Sequence, residues 1–255
     1  MLEDTVKSKV LFAGTSEFAI PTLNRLICQP DIEIIAVLTQ PDRQAGRGRK
    51  LKLSPIKEVA ISNNIRVLEP TDLNRCEGLR EILTEEIKFL VVVSYGLMIP
   101  SSVVEKVNFA INIHASILPN WRGAAPMQYA IMNGDQFAGV SIMEVVEKLD
   151  AGPIFCSESI RLEEDETYGS LSNKLALLGS DKLMETISAF KKGIFEKKSQ
   201  NDKVCLPHPM LHKRNFVLIP LFEIEKNWIH PRSKHHIKKL IFSLSNSDIS
   251  SIKKV

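Results

Sequence analysis

Short apolar, β-branched runs punctuate the chain at residues 10–13, 32–39, 89–94, 110–113 and 140–146, and most of the segments between them are long enough for a helix. This alternation predicts the α/β class: a Rossmann-like open, mostly parallel twisted sheet with helices on both faces. The run Phe89-Leu90-Val91-Val92-Val93 lacks polar alternation, which fits a central strand buried on both faces. Acids and a hydroxyl at 163–167 suit a helix N-terminus. Leu171, Leu175, Leu178, Met184, Ile187 and Phe190 then recur near helical spacing up to Gly193, predicting a long helix that closes the domain.

Beyond residue 200 this pattern ends. Pro207, Pro209, Pro220 and Pro231 interrupt any helix or central strand, and 243–251 is serine-rich. The reading is a domain over 1–197 followed by an irregular basic tail over 198–255. Charge sharpens the contrast: residues 201–255 hold ten Lys and Arg against four Asp and Glu, a net of +6, so the total of +3 leaves −3 for residues 1–200. Such a tail can attract phosphate, although a solvated terminus has the same composition. No stretch of about 18 apolar residues occurs, and the charged start at 1–9 is not a signal segment, so a cytoplasmic protein with no membrane association is expected. The four cysteines lie far apart with no zinc-like spacing; they are read as reduced packing residues, and no metal is expected.

Two candidate phosphate motifs fail on inspection. The turn Gly14-Thr15-Ser16-Glu17-Phe18 follows the first strand but supplies one glycine where a dinucleotide fingerprint needs three. Gly46-Arg47-Gly48-Arg49-Lys50 lacks the Walker A spacing and its Ser or Thr. More informative is Asn112-Ile113-His114-Ala115-Ser116-Ile117-Leu118-Pro119. If the strand runs this far, Asn112, His114 and Ser116 share one face, because side chains alternate with period two. They would then stand at a strand end, where open α/β sheets place ligands. Taken alone, the Asn-x-His pair is equally a polar strand end. Asp150, in Leu149-Asp150-Ala151-Gly152-Pro153, follows another strand and could reach His114, or simply cap its own turn.

Together, NIHASILPNWRGAAP, GVSIMEVVEKLDAG and GTSEFAIPTL resemble the folate-dependent formyltransferase family over roughly residues 9 to 195. The basic segment Thr39-Gln40-Pro41-Asp42-Arg43-Gln44-Ala45-Gly46-Arg47-Gly48-Arg49-Lys50-Leu51 is similar to an insertion of the tRNA-acting members that relatives acting on small amines lack. The resemblance implies transfer of a formyl group from 10-formyltetrahydrofolate to the α-amino group of methionyl-initiator tRNA, without a metal. It implies Asn112, His114 and Asp150 as the catalytic set. Ser116, Ile117, Leu118 and Pro119 would line the folate site, with the strand end at 90–97 offering backbone groups to the pterin. Arg43, Arg47, Arg49 and Lys50 would meet tRNA phosphates, arginine by its planar fork and lysine as a point charge.

Members of the tRNA-acting branch continue into an OB-like barrel of five strands. The tail, broken by prolines, is too short for that, and only 204–212 is similar to the usual linker. It is expected to reflect truncation or a shift of reading frame. Two further readings stay open: a formyltransferase for a small amine, such as glycinamide ribonucleotide or an amino sugar nucleotide, and a catalytically weak RNA-binding remnant. A monomer is expected.

Overall fold

Continuous apolar stretches become strands, and amphipathic ones the helices that cover them. The computed structural model describes residues 7–45, 50–200, 226–227, 229 and 235–242, without the side chains of 43–45, 50 and 51. The chain divides into two units, residues 1–201 and 202–255. In chain order the first unit holds β1 (Ser8–Gly14), α1 (Ile20–Ile27), β2 (Ile32–Leu38), β3 (Arg43–Ala45), β4 (Lys50–Lys52), α2 (Pro55–Ser62), β5 (Val67–Leu68) and α3 (Glu77–Ile82). There follow β6 (Ile87–Val93), α4 (Ser101–Val104), β7 (Val107–His114), α5 (Pro126–Asn133), β8 (Phe137–Glu144), β9 (Ile154–Arg161) and α6 (Tyr168–Lys191).

The seven-stranded sheet has the order β5-β2-β1-β6-β7-β8-β9. Pairing is parallel from β5 to β7 and antiparallel across β7–β8 and β8–β9. The expected α/β, mostly parallel sheet is therefore present, with an antiparallel margin on one side. Residues alternate between two cores as the pleat requires. Val10 and Phe12 of β1 join Leu23, Leu26, Leu171 and Leu175 beneath α1 and α6. Leu11 and Ala13 join Leu79, Ile82 and Val103 beneath α3 and α4. β1 lies between β2 and β6, so the chain winds outward in both directions from it, and this switch point opens a crevice at the strands' carboxyl ends.

The long helix starts where its chemistry predicts. Thr167 caps it: its hydroxyl accepts from the Ser170 backbone at 3.1 Å, and Ser170 Oγ accepts from the Thr167 backbone at 3.0 Å, so two otherwise orphaned donors are satisfied. Gly179 lets α6 settle onto β7, since a Cβ there would stand 2.7 Å from Ile113 Cγ2.

Four strands were not anticipated: β3, β4, the two-residue β5 and β9. β9 is an edge strand with most of its side chains partly or fully exposed, so it lacks an apolar run. The basic segment is flanked by the β3–β4 hairpin, with Arg43 opposite Lys52 and Ala45 opposite Lys50. Arg47 and Arg49 lie outside the described residues, as do the side chains of Arg43 and Lys50. Cys28 is exposed, unlike the partly buried Cys76 and Cys156, so it is not the packing residue expected. No helix among the described residues is long and apolar enough to cross a membrane. In the second unit the described part contains α7 (Ile237–Phe242), with Ile237 and Leu240 buried; most of the tail, prolines included, lies outside the described residues.

Candidate active site

A cavity of about 460 Å³ lies at the carboxyl ends of β1, β6 and β7, within the roughly 300–1,000 Å³ of ligand pockets. One wall is residues 94–99 following β6, together with Val92; another is formed by Asn112 and His114 of β7, with Met143, Val145 and Asp150 from the β8 side. Ser16 and Phe18 of the β1–α1 turn, Gly123 and Met127 also line it. Register explains the grouping. Asn112 pairs with Val92 on β6 and with Met143 on β8, so the three side chains stand abreast on one sheet face. His114, two residues on, shares that face.

The Asn112 amide makes no side-chain hydrogen bond among the described residues and lines the cavity, so its two N–H donors are open to a ligand. His114 is buried. Its Nε2 lies 3.0 Å from the Trp121 carbonyl. A carbonyl can only accept, so Nε2 carries a hydrogen and Nδ1 is the nitrogen left for other chemistry. Nδ1 faces Asp150 Oδ2 at 3.6 Å, an ion-pair approach longer than a hydrogen bond. The same Oδ2 accepts from the Gly123 backbone N–H at 2.8 Å. Asp150 therefore both caps a neighbouring loop and addresses His114.

Backbone strain gathers at this spot. Trp121, Asp150 and Ser94 have φ of 56°, 48° and 48°, left-handed conformations that cost about 1–3 kcal/mol each for non-glycine residues. For bulky Trp121 the conformation is the least natural. The indole holds it there, with Nε1 donating to Asp135 Oδ2 at 2.6 Å and the ring stacked on Tyr129 at 5.5 Å. Its carbonyl is thereby aimed at His114. Gly123, at φ 107°, supplies a turn that side chains resist.

Across the cavity, the Tyr95 carbonyl accepts from Thr15 Oγ1 at 2.9 Å and Gln40 Nε2 at 3.2 Å, which sews the β6 loop to the ends of β1 and β2. Gly96, at φ 84°, passes so near Gln40 that a Cβ would meet Nε2 at 2.4 Å. The Tyr95 phenol is buried without a hydrogen-bond partner among the described residues, and burial pushes its pKa upward. The β3–β4 hairpin is anchored at its base: Lys57 Nζ bridges Asp42 and Glu69, each at 2.7 Å, and Thr39 bonds Ser54 hydroxyl to hydroxyl at 2.7 Å. The two carboxylates hold the Lys57 ammonium above its usual pKa.

Asn112, His114 and Asp150 thus line one cavity, while Ser116, Ile117, Leu118 and Pro119 do not. This corrects the expected geometry of the segment. β7 stops at His114, so the period-two argument does not extend to Ser116, whose hydroxyl donates to the Asn120 carbonyl at 2.5 Å. Leu118 N–H donates to Ser141 Oγ at 3.0 Å, and Ile117 packs over Gly139. The segment packs on the stretch of β8 beside the site, where Ser141 stands opposite His114. Sequence reasoning also missed Trp121, Gly123 and Gln200. The glycine in Trp121-Arg122-Gly123 was a visible turn signal; Gln200 carried none.

Comparison with known proteins agrees with this architecture. Residues 6–187 match the formyl transferase family model. The chain is 39% identical over 194 residues to the methionyl-tRNA formyltransferase of Streptococcus uberis, covering 76% of this chain and 62% of that protein. It is 40% identical over 200 residues to that of Lactococcus lactis, covering 77% and 62%. The chain thus spans about three fifths of the length of these curated relatives. Among solved structures, an N-formyltransferase of Helicobacter canadensis with folinic acid and dTDP-3-aminofucose superposes with a TM-score of 0.59 at 18% identity, covering 77% of this chain and 68% of that one. A phosphoribosylglycinamide formyltransferase of Coxiella burnetii gives 0.59 at 21% identity, covering 74% and 88%. At these identities the structures show a shared fold.

Proposed function

The chain belongs to the formyl transferase family, and from that premise we propose that it transfers a formyl group from 10-formyltetrahydrofolate to the α-amino group of methionyl-initiator tRNA. The observation that carries this reading is the meeting of an open Asn112 amide, the His114 Nδ1 edge and the Asp150 carboxylate around one cavity. The identities to curated tRNA-acting relatives favour tRNA over a small amine.

Bound folate supplies the formyl group on its N10. The unprotonated methionyl amine forms a bond to the formyl carbon, the carbonyl oxygen takes up negative charge, and the bond from carbon to N10 then breaks. Asn112 has donors but no useful basicity, so it stabilises the growing oxyanion. His114, oriented through its Nε2–H, offers Nδ1 to give or take a proton, and Asp150 steadies the charged form. The proton lost by the attacking nitrogen reaches N10 through this pair, with no metal in the scheme. Val92, Leu97, Ile99 and Met143 suit a flat ring, and the peptide groups of 94–99 suit its polar edge. We place the pterin there and give 116–119 a supporting part.

Arg43, Arg47, Arg49 and Lys50, on and around a hairpin anchored at its base, would hold tRNA phosphates. Residues 1–197 would form the catalytic part. The enzyme would act in the cytoplasm as a monomer.

The test is to offer 10-formyltetrahydrofolate with methionyl-tRNA, glycinamide ribonucleotide or an amino sugar nucleotide in turn. Formylated methionyl-tRNA is expected, and Arg47→Ala should raise the KM for tRNA while sparing that for folate. Product from the small amines alone would contradict the reading; so would tRNA binding with no transfer at any enzyme concentration.

A further inference from the structure

We infer that Gln200 is a positioning residue for this site, its carboxamide clamping the turn that carries Asp150. The inference deepens the proposed function and rests on Asp150 serving in formyl transfer. Gln200 Nε2 donates to the backbone carbonyls of Asp150 at 3.1 Å and Gly152 at 2.8 Å. Its Oε1 accepts from Arg122 Nε at 3.0 Å and Nη2 at 2.5 Å.

Arg122 sits between Trp121, whose carbonyl holds His114, and Gly123, whose N–H holds Asp150. One carboxamide therefore ties together the two loops that aim the histidine and the aspartate. The chemistry requires an amide. The guanidinium meets an acceptor and the two carbonyls take two donors, and among side chains only Asn or Gln presents two donors together with an acceptor. A glutamate would keep the arginine but turn an anionic oxygen on two carbonyls, and an alanine would leave all four groups unbridged.

The approach of Gln200 is fixed by the chain before it. Lys198 and Ile154 exchange backbone hydrogen bonds of 2.8 and 2.9 Å, and Lys197 Nζ binds the Glu144 carboxylate at 2.9 Å. The turn itself has reason to need a clamp. Asp150 is held at φ 48°, and Gly152 runs so near β8 that a Cβ would lie 2.0 Å from the Glu144 carbonyl oxygen. Gln200 lies outside the stretch that matches the family model and outside a domain ending at residue 197, so a chain cut there would lose the clamp.

The experiment compares full-length wild type, Gln200→Ala and the same-sized Gln200→Glu by amide hydrogen exchange and by transfer kinetics. Exchange is read at Glu144 and Ala151, whose N–H groups close the turn on Pro153 and Lys148. Both variants should exchange faster there, and kcat should fall about 10- to 100-fold, the scale of an ångström-sized misplacement, while the KM for folate stays within about threefold. Unchanged exchange in both variants overturns the clamp. Faster exchange with unchanged kcat overturns the positioning role, as does early global melting of both variants. If the wild type transfers no formyl group, the functional reading falls by itself, and the exchange data alone keep or discard the clamp.

Discussion

The two long walls of the cavity are made of different material. The wall after β6 presents backbone groups and apolar side chains of 95–99, with Gly96 bringing main chain close to Gln40. The opposite wall presents Asn112, His114 and Asp150, and it is braced by Trp121, Gly123 and Gln200. A wall of peptide groups and methyls can bind a flat heterocycle but moves no protons. A wall of aimed polar side chains can stabilise charge as it develops. On the proposed function, binding falls to one side and chemistry to the other, which separates mutations into those expected to move KM and those expected to move kcat.

The largest effect should come from the chemical wall. Asn112→Ala removes the open donors and should cost about 2.7–4 kcal/mol in the barrier, roughly a hundredfold or more in kcat, with the KM for folate little changed. A rise in KM at constant kcat would erase the distinction between the walls. Behind that wall, Gly179→Ala forces a methyl to 2.7 Å from Ile113 Cγ2, between Asn112 and His114 in sequence. Thermal denaturation should show a loss of about 1–3 kcal/mol from overpacking.

On the binding wall, Gly96→Ala places a Cβ on Gln40 Nε2 at a left-handed φ, which costs about 1–2 kcal/mol in backbone energy alone. Steady-state kinetics should show the KM for folate raised about tenfold with kcat within about threefold. The smallest effect belongs to Tyr95→Phe, which deletes a buried hydroxyl that has no partner among the described residues and should stabilise by about 1 kcal/mol. Because the folded-state phenol pKa is raised, its contribution is fully present below pH 10.0, the unperturbed value, and is lost as pH rises beyond it. The phenylalanine variant should lack this alkaline loss when denaturation is followed across that range.

Much of this could be read from the chain. β1, β6 and α6 announced themselves because their environment is uniform: strands buried on both faces are continuously apolar, and a helix on a core repeats at 3.6. Asn112 and His114 were legible because they break such a run at its carboxyl end. Ser116 misled because period two holds only while the strand lasts, and the residues after His114 turn away to bond Asn120 and Ser141. β9 was hidden by its exposed edge position. Gln200 was hidden more deeply, since its partners are carbonyls 48 and 50 residues away in sequence and no local pattern marks a side chain that reads backbone. Asp150 stood between these cases: its turn was visible, but its reach to His114 depends on how β8 returns beside β7.

Whether His114 and Asp150 act as one device is decided by a double-mutant cycle of His114→Ala and Asp150→Asn in single-turnover formyl transfer to methionyl-tRNA. Asparagine keeps an oxygen for the Gly123 N–H, so the cycle isolates the carboxylate's action on the imidazole. If the pair works together, the double variant should be no slower than the slower single variant, within about threefold. Rate losses that simply multiply would mean that the two groups act independently.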